Sequence, residues 1–151
     1  MKKDRFVAGG IAGLVASITC DIVGVIYKSL GWTDRTFNDY ATIVLTNEIY
    51  SDQGFWGLIL SIISHAAVCM IFGVVFAYLI MFTTSNYLYL KGLGYSLVIW
   101  LLLNSFGTIL KLPLFLNMPL NAAYSTLSTA LIYGFMTAST LKLIDKKMHL
   151  L

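Results

Sequence analysis

This sequence predicts an all-α membrane protein of four transmembrane helices in an antiparallel bundle, and three observations lead there. The 151 residues are 58% hydrophobic and only 11% charged, with a mean hydropathy of +0.81, outside the range of soluble domains. Four apolar stretches each reach about the 20 residues that cross the ~30 Å hydrocarbon of a bilayer. The charged residues collect between these stretches; residues 54–82 contain no Asp, Glu, Lys or Arg. Helices are therefore expected at about 6–27, 55–82, 93–112 and 122–144, within a single membrane domain spanning residues 1–151.

The first helix opens on a basic start and an apolar run, as a signal peptide would, but the run continues through Ile22 to Tyr27. That is too long for a signal core, and no clean cleavage site follows, so it reads as a retained membrane helix. Gly9, Gly13, Ser17, Asp21 and Gly24 recur at spacings of three or four, which puts them on one face. Such a small-residue ridge lets helix backbones approach closely. It suits a neighbouring helix of the same chain or a second copy.

Residues 28–53 form the one sizeable polar connection and carry Asp34, Asp39, Glu48 and Asp52 against Lys28 and Arg35. Within this outer loop a short interfacial helix is expected, capped by Thr33 or Asp34, with Phe37, Tyr40, Val44 and Leu45 on one face. The β-branched run from Thr42 to Thr46 also suits a strand.

The second spanning helix starts with Phe55 and Trp56 as interface anchors and has Tyr78 and Phe82 towards its end. Ser61, His65, Cys69, Gly73 and Ala77 follow one another at intervals of four, forming a second small or polar ridge. The two ridges are natural partners. A polar link, Thr83 to Lys91, leads to the third helix, which holds Trp100 and Asn104 and has Lys111 at its far end, where the ammonium can snorkel. Pro113 and Pro119 bracket an apolar interfacial segment, with Asn117 and Asn121 as turn or cap residues. Ser125, Thr126, Ser128, Thr129, Tyr133 and Thr137 give the fourth helix hydrogen-bonding groups. The charged tail from Asp145 is too short for a domain.

Of the ten Lys and Arg residues, Lys2, Lys3, Arg5, Lys91, Lys142, Lys146 and Lys147 fall on one side, and Lys28, Arg35 and Lys111 on the other. By the positive-inside rule both termini are cytoplasmic in a multi-pass cell-membrane protein.

Depth is the most informative reading. Asp21 lies six residues before Tyr27, His65 seven after Leu58 and Asn104 seven before Lys111, so at 1.5 Å per residue each sits about 10 Å inside the outer boundary. These three form a candidate polar layer. An ionisable residue inside a membrane is a functional hypothesis with a partner, and His65 is the partner expected for Asp21. The other reading is that the layer is structural, fixing how helices pack. The candidate packing ridge is Gly9, Gly13 and Ser17 against Ser61, Cys69 and Gly73.

Several classes are excluded or unsupported. No basic stripe suggests nucleic-acid binding, and Cys20 and Cys69 lie in apolar segments with no disulfide framework. Metal-capable atoms on Cys20, Asp21, His65 and Cys69 lack a paired-ligand motif. No nucleophile motif, phosphate loop or internal repeat is present, so no catalytic residue, metal or cofactor is expected.

Gly31-Trp32-Thr33-Asp34-Arg35-Thr36-Phe37, Ser64-His65 with Phe72-Gly73-Val74-Val75-Phe76-Ala77-Tyr78, and Tyr87-Leu88-Tyr89-Leu90-Lys91-Gly92 together resemble an uncharacterised family of small four-helix integral membrane proteins from Gram-positive bacteria, chiefly clostridia and bacilli. The resemblance covers most of the chain. It implies a bacterial cytoplasmic membrane and assigns no substrate or catalytic residue. The expected function is a non-enzymatic packing or interaction subunit, whose partners are the lipid bilayer and either further copies or another membrane protein. The alternative is an oligomeric proton- or ion-linked channel or transporter using Asp21 and His65.

Overall fold

The computed structural model describes residues 4–46, 54–83 and 86–148, with side chains up to residue 145. The described residues form five helices: α1 (Arg5–Ser29), α2 (Phe37–Thr46), α3 (Gly54–Phe82), α4 (Leu88–Ile109) and α5 (Leu120–Met148). The fold is all-α. α1, α3, α4 and α5 are each long and apolar enough to cross a membrane, and α2 is the short helix of the first connection. Lys2 and Lys3, the loop residues 47–53 with Glu48 and Asp52, positions 84 and 85 of the link, and the tail residues 149–151 lie outside the described residues.

Helix ends differ from expectation where local chemistry overrides hydropathy. α4 starts at Leu88 instead of 93, because Leu88 is buried against Phe76, Ile80 and Leu141 and continues the helix into the polar link. It stops at Ile109 instead of 112, because the chain turns left-handed at Lys111 (φ 54°), with the Leu112 amide donating to the Gly107 carbonyl at 3.0 Å. That is the usual left-handed exit from a helix. α5 starts just after Pro119, whose carbonyl accepts from the Ala123 amide at 3.0 Å, since proline is tolerated where amides have no helical partner anyway. It also runs on to Met148, so the expected tail after Asp145 is partly helix. The cap of α2 is neither Thr33 nor Asp34. Asp39 reaches back to accept from the Thr36 amide at 2.7 Å and its hydroxyl at 3.0 Å, while the Thr33 hydroxyl accepts from the Arg35 amide at 3.2 Å.

α1 is the central helix, packed on both α3 and α5, and α5 in turn packs on α4. The α1–α3 seam is antiparallel. A Cβ built on Gly9 would meet Gly73, Val74 and Ala77, and one built on Gly13 would meet Cys69 and Met70, so the ridges of the two helices mesh backbone to backbone. A matching seam joins Gly92 and Ser96 of α4 to Gly134 and Ala138 of α5. Where α1 begins and α5 ends, all four long helices share one core of Ala8, Ala12, Phe76, Ala77, Ile80, Leu88, Ala138 and Leu141. Towards α2 the bundle is incomplete. α3 and α4 barely touch there, and α2, packed mainly on α3, covers the end of the gap.

Candidate functional site

Asp21 of α1 and His65 of α3 meet across the α1–α3 seam, with Oδ1 of Asp21 2.7 Å from Nδ1 of His65. His65 is buried and the Asp21 side chain is 23% exposed. Both positions follow from the seam: Gly13 and Gly73 bring the backbones together two turns away, so the longer side chains reach each other at the same register. The other ring nitrogen of His65, Nε2, lies 3.4 Å from Sγ of Cys69, one turn along α3. In the neutral ring tautomer with its proton on Nδ1, the imidazole donates to the Asp21 carboxylate and Nε2 is the acceptor that faces the Cys69 thiol. Phe37 of α2 stacks on the imidazole, ring centroids 5.8 Å apart and nearly parallel at 7°. The pair is thus held on one side by a seam and covered on the other by an aromatic lid.

Asn104, the third member of the expected layer, is not joined to this pair. Its amide donates to the Trp100 carbonyl at 2.7 Å, one turn back on its own helix. The depth alignment placed it at the right height, but α4 stands away from α3 here, so Asn104 faces the gap between them. The layer's links to α5 run through other residues. Cys20 Sγ lies 3.5 Å from the Thr129 carbonyl, the Trp100 indole donates to Oγ1 of Thr126 at 3.1 Å, and Tyr133 donates to the Cys69 carbonyl at 2.8 Å. Tyr95 spans the narrow part of the α3–α4 gap, donating to the Phe72 carbonyl at 2.8 Å. In the ridges, Ser17 and Ser61 are buried but bond carbonyls three residues back in their own helices, a common role for membrane-helix serines.

The gap between α3 and α4 holds a cavity of about 260 Å³. Its walls come from Ser64 to Phe72 of α3 and Ser96 to Asn104 of α4, with α5 behind and Phe37, Tyr40, Ala41, Val44 and Leu45 of α2 at one end. The α2 face expected from the sequence, Phe37, Tyr40, Val44 and Leu45, is therefore the face that lines this cavity. His65 and Asn104 stand on its wall, along with Ser64, Ser96 and Thr126. Beside Asp21 is a space of only about 10 Å³, lined by Thr33, Arg35 and Thr36 and by Ser125, Thr126 and Thr129 of α5, roughly room for one water.

Outside the spans, Arg35 ties the two connections together. Its guanidinium donates to the carbonyls of Leu114 at 2.9 Å and Asn117 at 3.4 Å and pairs with Asp34 at 3.4 Å. Tyr40 packs edge-on against Phe115 from the far connection, and its hydroxyl is buried without a hydrogen bond of good geometry. Burial pushes this phenol above its ordinary range despite the nearby Arg35, so it stays protonated.

Sequence reasoning missed the Gly92–Gly134 seam, although Gly92-x-x-x-Ser96 and Gly134-x-x-x-Ala138 repeat the small-residue spacing that marked α1. It also missed Trp100–Thr126 and Arg35, for which no local pattern gives a signal. Among the described residues no three His, Cys, Asp or Glu side chains are placed to hold a metal ion.

The fold and site define a class: a multi-pass, all-α membrane protein with a histidine–aspartate pair enclosed between two spans. No protein-family model matches this chain, and no curated protein and no solved structure matches it either.

Proposed function

We propose that this chain is a non-enzymatic interaction subunit of a bacterial cytoplasmic membrane, with both termini inside and a second membrane-spanning chain, its own copy or another protein, as partner. The observation that carries this reading is the outer face of α4. Leu90, Gly94, Val98 and Leu101 fall at helical spacing along it, the three large residues are more than half exposed, and the space beside Gly94 is open. A glycine flanked by large apolar residues on a free helix face gives a partner helix a point of close approach. The α1–α3 and α4–α5 ridges are engaged within the chain, so contact between chains falls to an outer face, and the α4 stripe combines exposed apolar side chains with an open glycine. The polar groups between the helices bond mainly to one another and to backbone, which supports structure over turnover. Purification in mild detergent, followed by particle mass, tests the reading. A defined oligomer or a stoichiometric membrane-protein partner that Gly94→Trp removes supports it; a strict monomer with no partner refutes it.

The partial exposure of Asp21 favours a second reading, a proton- or ion-linked channel or transporter acting as an oligomer. Asp21 adjoins a small polar space, so the pair has polar access from one direction. Ion or proton flux in liposomes decides this: flux abolished by Asp21→Asn and His65→Ala supports it, and flux that is absent or indifferent to both removes it.

A further inference from the structure

We propose that the α3–α4 cavity is a binding site for a single acyl chain of a bilayer lipid, which enters sideways between the two helices. The dimensions select the occupant. The walls run from Ser64 to Phe72 on α3 and from Ser96 to Asn104 on α4, eight residue steps each, so the slot extends about 12 Å along the helix axes. A volume of about 260 Å³ spread over that length is too slim for an α-helix, which with its side chains is about 10–12 Å across, and it admits an extended hydrocarbon chain, whose carbons need only van der Waals contact with the walls. A second protein chain can cover the mouth but cannot occupy the slot.

Chemistry and access agree with the dimensions. The exposed lining is almost wholly apolar carbon, and apart from the Tyr40 hydroxyl at the α2 end its polar side chains, among them Trp100, Tyr133, Asn104, His65, Ser64 and Ser96, are already engaged within the protein. A charged or strongly polar ligand would lose its hydration there with little in return, while a hydrocarbon chain would not. The slot opens between two helices that each span the membrane, so the molecules that reach it are those of the bilayer. α2 closes the end nearest the membrane surface with Phe37, Tyr40 and Val44, which leaves the lateral mouth, beside the exposed Val68, as the entrance.

Trp100 on the wall supplies the readout. With Trp32→Phe and Trp56→Phe it is the sole tryptophan of the chain, and its fluorescence is read in phosphatidylcholine vesicles carrying bromine on their acyl chains. A chain in the slot quenches Trp100 strongly, and Ala67→Phe, which fills the wall, reduces that quenching at least twofold. Val68→Phe at the mouth does the same, so the result does not depend on one variant folding; Ile63→Phe, on the lipid-facing surface outside the slot, leaves the quenching unchanged. Equal quenching in all three variants overturns the proposal. So does weak quenching that rises as protein is diluted into lipid, because that pattern means another copy of the chain covers Trp100. Particle mass tests the interaction reading separately, so the two can fail independently.

Discussion

Gly10 and Gly13 sit one turn apart on α1, are both buried, and should respond to the same substitution with opposite signs. At Gly13 an added Cβ would lie 2.8 Å from the Cys69 carbonyl carbon and 2.9 Å from Cα of Met70. Non-bonded carbons need about 3.5–4 Å, so α1 and α3 must part by roughly 0.6–1.2 Å along a seam built backbone to backbone. The atoms met are main chain and cannot swing aside, and overpacking of this kind costs about 1–3 kcal/mol. At Gly10 the same Cβ meets only the side-chain ends of Met70 at 3.7 Å and Val74 at 4.0 Å, which is ordinary contact. Gly10→Ala therefore keeps the packing and gains up to about 0.5–1 kcal/mol from the restricted unfolded backbone. The two variants should differ by more than tenfold in their folded-to-unfolded ratio, since 1.4 kcal/mol is about a factor of ten. Denaturant titration in mixed micelles, followed by helix content, measures this. If Gly13→Ala is as stable as the parent, or if Gly10→Ala is equally damaging, the close α1–α3 seam is wrong.

Three further outcomes are expected. On α4, Gly92→Ala should destabilise by about 1–3 kcal/mol, because its Cβ would crowd Gly134 and Ala138, whereas Gly94→Ala, with open space beside it, should stabilise the isolated chain by up to about 0.5–1 kcal/mol, as at Gly10; melting the two variants side by side separates them. A double-mutant cycle of Asp21→Asn and His65→Ala should return a coupling near the upper end of the ~0.6–1.7 kcal/mol measured for membrane hydrogen bonds, given the enclosed 2.7 Å contact, and additive effects would contradict the pairing. Arg35→Ala should cost about 1.5–3 kcal/mol for its charge-assisted bonds, towards the lower figure because the side chain is 18% exposed. Arg35→Lys should recover less than half of that, since an ammonium lacks the guanidinium fork; equal melting of all three proteins would contradict the role given to Arg35.

The spans were legible in the sequence because length and hydropathy decide whether a helix can cross a bilayer, and nothing in the tertiary structure can reverse that. The Asp21–His65 contact was legible for a narrower reason. Matching depth gave a common height, and the two small-residue ridges supplied the rotation that turned both residues into one seam. Asn104 shared the height, but no ridge fixed how α4 is turned, and α4 packs on α5 through a seam that was overlooked. Depth without rotation is half an address. The cavity was not legible because it results from how α3 and α4 diverge, a property of two seams taken together, although the α2 face that closes it was read correctly as Phe37, Tyr40, Val44 and Leu45.

The Arg35 clasp also sets an order for biogenesis. Its first acceptor, the Leu114 carbonyl, lies 79 residues further along the chain, so at 5–20 residues per second the ribosome needs about 4–16 s to supply it. Until then the first connection can pack on α3 through α2 but lacks its link to the far connection, and α1 lacks α5, one of its two main neighbours. α1 therefore gains its two main neighbours at different times, α3 first and α5 only after the chain has run past Leu114.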